Sequence, residues 1–548
     1  MPQFSQENAA FQIQTPLGPD ALVVLSFQGT ECLSGLFEFR LQLGALAGSR
    51  VPFEALLGQC ATVSLQSRGQ VQRYISGVIC QFTAKNSDRY LDHYEMVLRP
   101  RLWQLGLVKQ SRIFQQQNAC QILAAVLAPV AGASQLVAPT PLVRVCSTQY
   151  RETDLEFFNR ICFEQGFASY WVHSASDHQL KITNMTTNNP SAGTCYFNQA
   201  EGGSQDIPSI KTWETTQTLV NNQLSLRDSQ FQLFNQPLTA QGKGQQTAQA
   251  GTVSLKVSSS AQPWQENGAS PGRYFDTILA TGQENSGAMS DTYEYLQTRA
   301  NILSTAIACK AVLANGSGNC MNLVAGYQFT LADHPTADGA WLVTRLEHDG
   351  RQEGLFWSGE AARVSYSNRF EAVPASSSQK PWPPVLRPKV GGVQTAIVIG
   401  SEGAEMNIDP FGRVQVRFWW DAAESGTSCW VRVAQVWAGQ GYGAFFWPRV
   451  GHEVVVSFED GDPDRPLIVG SVYNSTNNVP VPMPQSSYLS GVKSKTQGGD
   501  VTKNFHTALL SDEMSAAVIY VHAETHMMVH QEQTQVNNHH GRSITFEG

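Results

Sequence analysis

Apolar and polar positions alternate through most of the first hundred residues. Ala21-Leu-Val-Val-Leu-Ser-Phe27, Phe37-Glu-Phe-Arg-Leu-Gln-Leu43, Arg73-Tyr-Ile-Ser-Gly-Val-Ile-Cys80 and the run from Tyr90 to Leu98 alternate or are β-branched. The pattern predicts strands there, with a turn from Gly29 to Gly35. The period then becomes helical from Asn118 to Val130. A second helix is marked at both ends. Thr153 and Glu156 have capping-box spacing, Leu155, Phe158 and Cys162 form one face, and Gly166 suits the stop. Phe167 to Val172 returns to strand. From Ser204 to Asn285 strand-like pieces alternate with a polar, Gln-rich tract, Leu238 to Thr252. A third helix is expected from Ser290 to about Val312, and strands at Gly326–Leu331 and Trp341–Leu346. Two β-rich modules with peripheral helices are therefore expected before residue 370.

The next segment, Pro374-Ala-Ser-Ser-Ser-Gln-Lys-Pro-Trp-Pro-Pro384, cannot donate a regular ladder, has little to bury and reads as a linker. Beyond it lie short strands broken by Gly and Pro: Arg413–Phe418, Cys429–Val433, Glu453–Phe458 and Pro466–Gly470. Such strands within about 80 residues suggest a small closed barrel of the oligosaccharide/oligonucleotide-binding (OB) shape. Pro480, Pro482 and Pro484 mark a second linker, Ser475 to Gln485. In the tail, Ile519, Val521, Ala523, Met527 and Val529 share one parity, and Tyr520, His522, Glu524, His526 and His530 the other. One copy of such a strand has a dry face, no local partner and unpaired edges. The expected solution is several copies wound together, apolar parity inward. The domain reading is thus 1–380, two β-barrel modules with helices; 381–389, linker; 390–474, OB barrel; 475–504, Pro-rich neck; 505–548, spike segment.

Composition narrows the function. The chain has 548 residues, 42% hydrophobic and 15% charged, with 45 Gly and 26 Pro. That favours a turn-rich β protein of several domains. The net charge of −8 and the lack of any Lys/Arg run argue against a nucleic-acid partner. The N-terminus has no signal-peptide pattern, and the longest apolar stretch, Ile122 to Ala133, is too short to span a bilayer. A chain that starts in the cytoplasm is the expectation. The ten cysteines are scattered without a Cys-x-x-Cys and read as buried small hydrophobes.

Candidate chemistry is thin. Gly268-Ala-Ser-Pro-Gly272 fits Gly-x-Ser-x-Gly, but Pro271 follows Ser270 where a helix should start, so a polar turn is favoured over a nucleophile elbow. His522, His526 and His530 recur every four residues. On a strand they share the solvent face, and a metal-binding or pH-sensitive band in a trimer is the weaker reading. Asp409, Asp421, Glu459, Asp460, Asp462 and Asp464 lie at turn residues, and turn formation explains them without a glycosidase pair. No cofactor motif is present. Trp419, Trp420, Trp430, Trp437 and Trp447 read as barrel core and trimer contacts, with sugar stacking as the alternative.

Three runs carry a resemblance. They are Asp409-Pro-Phe-Gly-Arg-Val-Gln-Val-Arg-Phe-Trp-Trp-Asp421, Ser428-Cys-Trp-Val-Arg-Val-Ala-Gln-Val-Trp-Ala-Gly439, and Pro448-Arg-Val-Gly-His-Glu through Gly461-Asp-Pro-Asp-Arg-Pro466 to Tyr473-Asn474. In order, they resemble the VgrG family of type VI secretion spike proteins, which is similar to phage tail hubs and spikes. Leu155 to Phe167, His334-Pro335, Leu342 to His348, Tyr366 to Phe370 and Ile519 to Glu524 agree. Trp419-Trp420 departs from the His-Trp of many relatives.

The motif positions so identified are Asp409, Gly412, Arg413, Asp421, Trp430, Arg432, Pro448, Arg449, Gly451, Glu453, Gly461, Asp462, Pro463, Arg465, Pro466, Gly470, Tyr473 and Asn474. The resemblance implies a mainly β, phage-hub-like N-terminal region, an OB collar and the start of a trimeric triangular β-helix. It implies a non-enzymatic homotrimeric tip that pierces an envelope. Implied partners are an Hcp-like hexameric tube ring, a PAAR-type cap, baseplate proteins and effector or adaptor cargo. An envelope-degrading hydrolase is the alternative.

Overall fold

The computed structural model describes residues 4–130, 134–137, 141–198, 208–228, 230–233, 238–256, 264–267, 286–353, 363–381, 387–421 and 426–528. Strands dominate it. Twelve form one continuous sheet that builds two barrels around a shared wall. The wall is the fifteen-residue strand Gly339–Glu353.

On one side of the wall the order is Val23–Cys32, Glu38–Leu46, Leu91–Arg99, Gln70–Ala84, Cys60–Ser67 and Phe11–Gln14. No backbone ladder joins Phe11–Gln14 to the wall. Instead the amide of Gln352, 3% exposed, accepts from Phe11 N at 3.0 Å and donates to Phe11 O at 2.8 Å and Val24 O at 2.6 Å. A side chain thus supplies the hydrogen bonds that a seventh pairing would have made. Inside lie Phe11, Phe27, Phe37, Phe39, Leu41 and their neighbours, with α1 (Ala119–Leu127) and α2 (Asp154–Gln165) packed onto the same core.

On the other side the wall pairs with Gln328–Ala332, which leads through Ser191–Phe197, Ser209–Gln217 and Val312–Gly318 to Arg363–Pro374. That last strand returns to pair with the wall. This ring of six is closed by backbone alone, around Trp341, Phe329, Phe370 and Leu346. A third helix, α3 (Ser286–Ala308), covers a small sheet of Gln223–Asp228, Leu238–Lys243 and Trp264–Asn267.

The sequence expectations meet several corrections. The turn expected at Gly29–Gly35 is shorter: Gly29 stays in strand, and Gly35 N bonds Cys32 O at 3.2 Å. Gly29 is there for space, because an added Cβ would lie 2.1 Å from the Phe39 ring. α3 ends at Ala308, and Val312 begins a strand rather than closing the helix. Within the polar tract, Leu238–Lys243 is a strand whose buried positions, Leu238 and Ala240, join Leu296, Ala300 and Leu303 of α3 in one core. The 374–381 stretch is not an idle tether. Ala375, Ser377 and Gln379 are buried, and Lys380 donates to Gly166 O and Asn184 O.

The barrel that follows has the sheet order Gln415–Phe418, Gln394–Ile399, Glu453–Phe458, Pro466–Val472, Arg432–Val433. The bridge Val414–Val431 closes it. Cys429–Val433 was expected as one strand but is regular only at Arg432–Val433. The tail also departs from expectation. Val518–His522 does have a local partner, Thr507–Ser511, which pairs in turn with Leu489–Lys493 inside the expected neck. Ile519 is 75% exposed, Val521 53% and Val518 55%, so these apolar side chains stay uncovered within one chain.

Candidate functional site

Two regions could do work: the junction between hub and OB barrel, and the apolar surface that the barrel and tail leave open. The junction begins with α2. Thr153 caps it, taking Glu156 N at 3.1 Å while Glu156 reaches back to Thr153 N at 2.7 Å, and Gly166 ends it at φ 66°. This fixes the inward side chains Arg160 and Glu164, both nearly inaccessible.

Arg160 forks onto Glu152 at 2.7 and 2.9 Å, and Arg144 meets Glu164 at 2.6 Å. Arg387, from the segment leading into the barrel, joins the two domains. It lies 3.0 Å from Glu164, 2.9 Å from Asp462 and 3.7 Å from Asp464. Asp464 also accepts from Thr148 N of the hub.

Three guanidiniums thus face four buried carboxylates, with 20% of the Arg387 side chain still exposed, and the charges settle unequally. Burial alone would raise Glu164, but Arg387, Arg144 and Arg160 hold it well below the usual carboxylate range. Burial and the neighbouring Asp462 push Asp464 up to about 6, against Arg387 and Arg160. Burial would lower Arg387, but Glu164, Asp462 and Asp464 keep it firmly charged.

Aromatic contacts add to the junction. Phe231 of the hub sits beneath the guanidiniums of Arg413 and Arg432, 5.3 and 5.2 Å from its ring centre, and edge-on to Phe411 at 5.5 Å. Tyr150 is buried with the barrel core against Trp420, 5.4 Å away, and takes a bond from Gln394 at 2.7 Å.

The motif residues divide by place. Asp409 holds its own turn, accepting from Phe411 N, Arg413 N and Arg413 Nε at 3.0, 2.7 and 2.6 Å. Gly412 within it has φ 71°, and a Cβ there would strike Trp447 at 2.4 Å, so no other residue fits. Asp462 and Asp464 lie at the junction, where sequence reading had placed only a turn. Arg465 and Arg432 pair with Glu459 beside them.

Glu453 takes a bond from Asn474 at 2.8 Å, and Asn474 holds Thr476 N and Asn477 N in the next turn. Arg449 reaches Lys495 O at 2.7 Å, tying barrel to neck. Pro448 is buried, Gly451 and Gly461 turn at φ 86° and 75°, and Pro466 opens the strand that carries Gly470. Pro463 is buried and Asp421 and Trp430 are half-buried, whereas Tyr473 is 63% exposed.

Of the tryptophans, Trp420 packs against the barrel core and Trp447 covers Gly412, while Trp419 and Trp437 stand in solvent. Trp437, Tyr442, Phe445 and Phe446 form an exposed aromatic edge on the hairpin of Trp437–Ala438 and Gly443–Ala444. In the tail, His522 is half-buried instead of fully solvated, its ring tilted against that of Phe505 at 4.8 Å. Glu524 takes a bond from Asn504 at 2.6 Å, Ala523 is half-buried, and His526 and Met527 are exposed. Val529, His530 and the Gly268–Gly272 motif with Ser270 lie outside the described residues.

Sequence reasoning missed three clusters. Arg387 was hidden by its Pro-rich surroundings, although the Arg160–Glu164 spacing of four was a readable sign of a paired face. In the wall between the barrels, His348 bonds Glu31 at 2.7 Å and Tyr366 at 2.8 Å, with Arg73 on the same carboxylate. Burial would raise Glu31, but Arg73 and His348 overcome it and hold the group at about 2. Cys60, Asp177 and His178 are a set of potential metal ligands. The Arg101 guanidinium bonds both Asp177 and Cys60, so the place of a cation is already taken.

Residues 30–354 match the phage tail baseplate hub (GPD) family model, and 394–473 match the type VI secretion system/phage-baseplate injector OB domain. The chain belongs to the phage tail baseplate hub family.

The type VI secretion system spike protein VgrG3 of Vibrio cholerae is 32% identical over 96% of this chain, which spans 51% of that relative's length. VgrG1a of Pseudomonas aeruginosa is 29% identical, with 94% and 77% covered. Among solved structures, the E. coli c3393 protein, a type VI component likened to the T4 tail proteins gp27 and gp5, superposes with TM-score 0.56 at 20% identity. The match covers 84% of this chain and 99% of that one. A chain of a PdpA–VgrG complex gives 0.55 at 8%, covering 94% and 98%.

Proposed function

We propose that the chain is the homotrimeric tip of a type VI secretion or similar contractile injection machine. It caps an Hcp-like tube, pierces the target envelope and carries effector or adaptor cargo. The observation that carries this reading is the tail sheet. Its strands pair within the chain, yet Val518, Ile519, Val521 and Met527 remain more than half exposed. An isolated three-stranded layer with bare apolar faces is marginal in water, and winding three copies together would cover it. The aromatic edge at Trp437, Tyr442, Phe445 and Phe446 supports further contact between copies.

The two barrels per chain support a second step. Three copies would offer six similar modules to a sixfold tube ring. A PAAR-type protein would close the far end, and baseplate proteins would meet the hub. Assembly would occur in the cytoplasm, followed by injection; among the described residues no helix is long and apolar enough to cross a membrane.

The role is structural in this reading. Asp462 and Asp464, the pair a hydrolase would need, are each 9% exposed and committed to Arg387, which argues against that alternative. Light scattering on the intact chain tests the proposal. The expected mass is three times 60.0 kDa, falling when residues 505–548 are removed. A stable single-copy mass for the intact chain refutes it.

A further inference from the structure

The ten cysteines are free thiols, and the fold brings Cys146 of the hub against Cys429 of the barrel, 283 positions apart in sequence. They pack in one apolar seam with Val145 and Ile113. The seam is held on both flanks. Cys146 lies in the strand Val143–Thr153 opposite Gln115, whose side chain reaches Thr427 Oγ1 at 2.6 Å, two residues before Cys429. On the other flank Thr148 binds Asp464 and Pro463. Ser428 is tied to Val416 N at 2.9 Å, which anchors the barrel side. The two side chains are therefore held together by contacts on both flanks, the proximity that a bridge requires.

We propose that Cys146 and Cys429 form a closable disulfide latch between hub and OB barrel, set by a small-molecule disulfide of the glutathione class. Cys429, the less buried of the two, is the point of entry. Its thiolate attacks one sulfur of the oxidant, giving a mixed disulfide and releasing one reduced thiol. The Cys146 thiolate then attacks Cys429 Sγ, forming the Cys146–Cys429 bond and releasing the second. Two protein thiols are oxidised, one external disulfide is reduced to two thiols, and no other reactant is needed.

The neighbouring Cys429 and burial push the Cys146 thiol well up, so closure is slow at neutral pH and faster in alkali. The bond would close a very long loop and lock a junction otherwise held by ion pairs and packing. The value of a lock set on leaving a reducing compartment rests on the proposed function. The chemistry does not, and the test reads it whatever the oligomeric state.

The purified, fully reduced chain is treated with oxidised glutathione at mildly alkaline pH, unfolded, alkylated and mapped by mass spectrometry without reduction. The expected result is a peptide joining Cys146 to Cys429, a denatured thiol count lower by two than the starting ten, and a rise in melting temperature that dithiothreitol reverses. Cys429→Ala should lose the linked peptide and the rise. Should that variant fail to fold, the wild-type peptide map decides alone. Both thiols fully alkylated after oxidation, or a glutathione adduct on Cys429 that never closes, overturns the latch. Oxidation confined to the other touching pair, Cys195 and Cys320 inside the second barrel, also overturns it.

Discussion

Arg387 shows how much one side chain can settle. It neutralises the buried carboxylates of Glu164, Asp462 and Asp464, and its loss would leave all three short of a partner. Arg387→Ala should cost about 3–5 kcal/mol, read as an earlier denaturant midpoint of tryptophan fluorescence. Asp464 makes a distinct prediction. Its carboxyl holds a proton up to about 6 in the folded chain but only to 3.8 when unfolded, so the native state binds more protons in between. Stability from this group therefore falls as pH rises from about 4 to 6. Asp464→Asn should flatten that slope in melting temperatures measured across the window. Glu31 has the opposite sign: held at about 2 against 4.5 unfolded, it should lose stability as pH falls from 4.5. Little of this was legible from sequence. Asp462 and Asp464 do form a turn, as the Gly-Asp-Pro-Asp pattern says, with Asp464 N bonded to Asp462. Nothing in the local sequence reveals that an arginine about 75 positions earlier completes their surroundings.

At the level of elements, local chemistry was a good guide wherever the signal was local. The capping box and the Gly166 stop delimit α2 as Thr153, Glu156 and Gly166 foretold, because those bonds form within one turn. Thr153→Ala should cost about 1 kcal/mol in the hub's unfolding transition. Gly29 misled because its role is set by Phe39 on the neighbouring strand, and the polar tract misled because half of its strand packs on a helix some fifty residues later. The first barrel's closure by Gln352 was equally invisible: a Gln in an alternating strand reads as an ordinary solvent-facing residue. Gln352→Met keeps the volume and removes the amide. Leaving Phe11 N and O and Val24 O unsatisfied should cost about 1–3 kcal/mol, with faster hydrogen exchange at Phe11–Gln14 as the local marker.

Across the whole molecule, hub and barrel meet through a layered contact: buried ions at Arg387, apolar packing at Tyr150 and Trp420, and Phe231 beneath two guanidiniums. Phe231→Ala should remove about 1–2 kcal/mol of cation–π and packing energy without touching either core. Calorimetry should then show the barrel melting below the hub instead of with it. The order of the large parts was readable from composition shifts and motif runs. The way they are fastened was not, because residues from distant segments make the fastening.

The strand Gly339–Glu353 is a party wall, serving two chambers at once. A crossover between related genes that falls inside this region would give the recipient two rooms built to different plans on one partition. Chimaeras that inherit positions 11–374 as a block should therefore be viable where those splitting it are not, and the two chambers should drift in sequence as tenants bound by one lease.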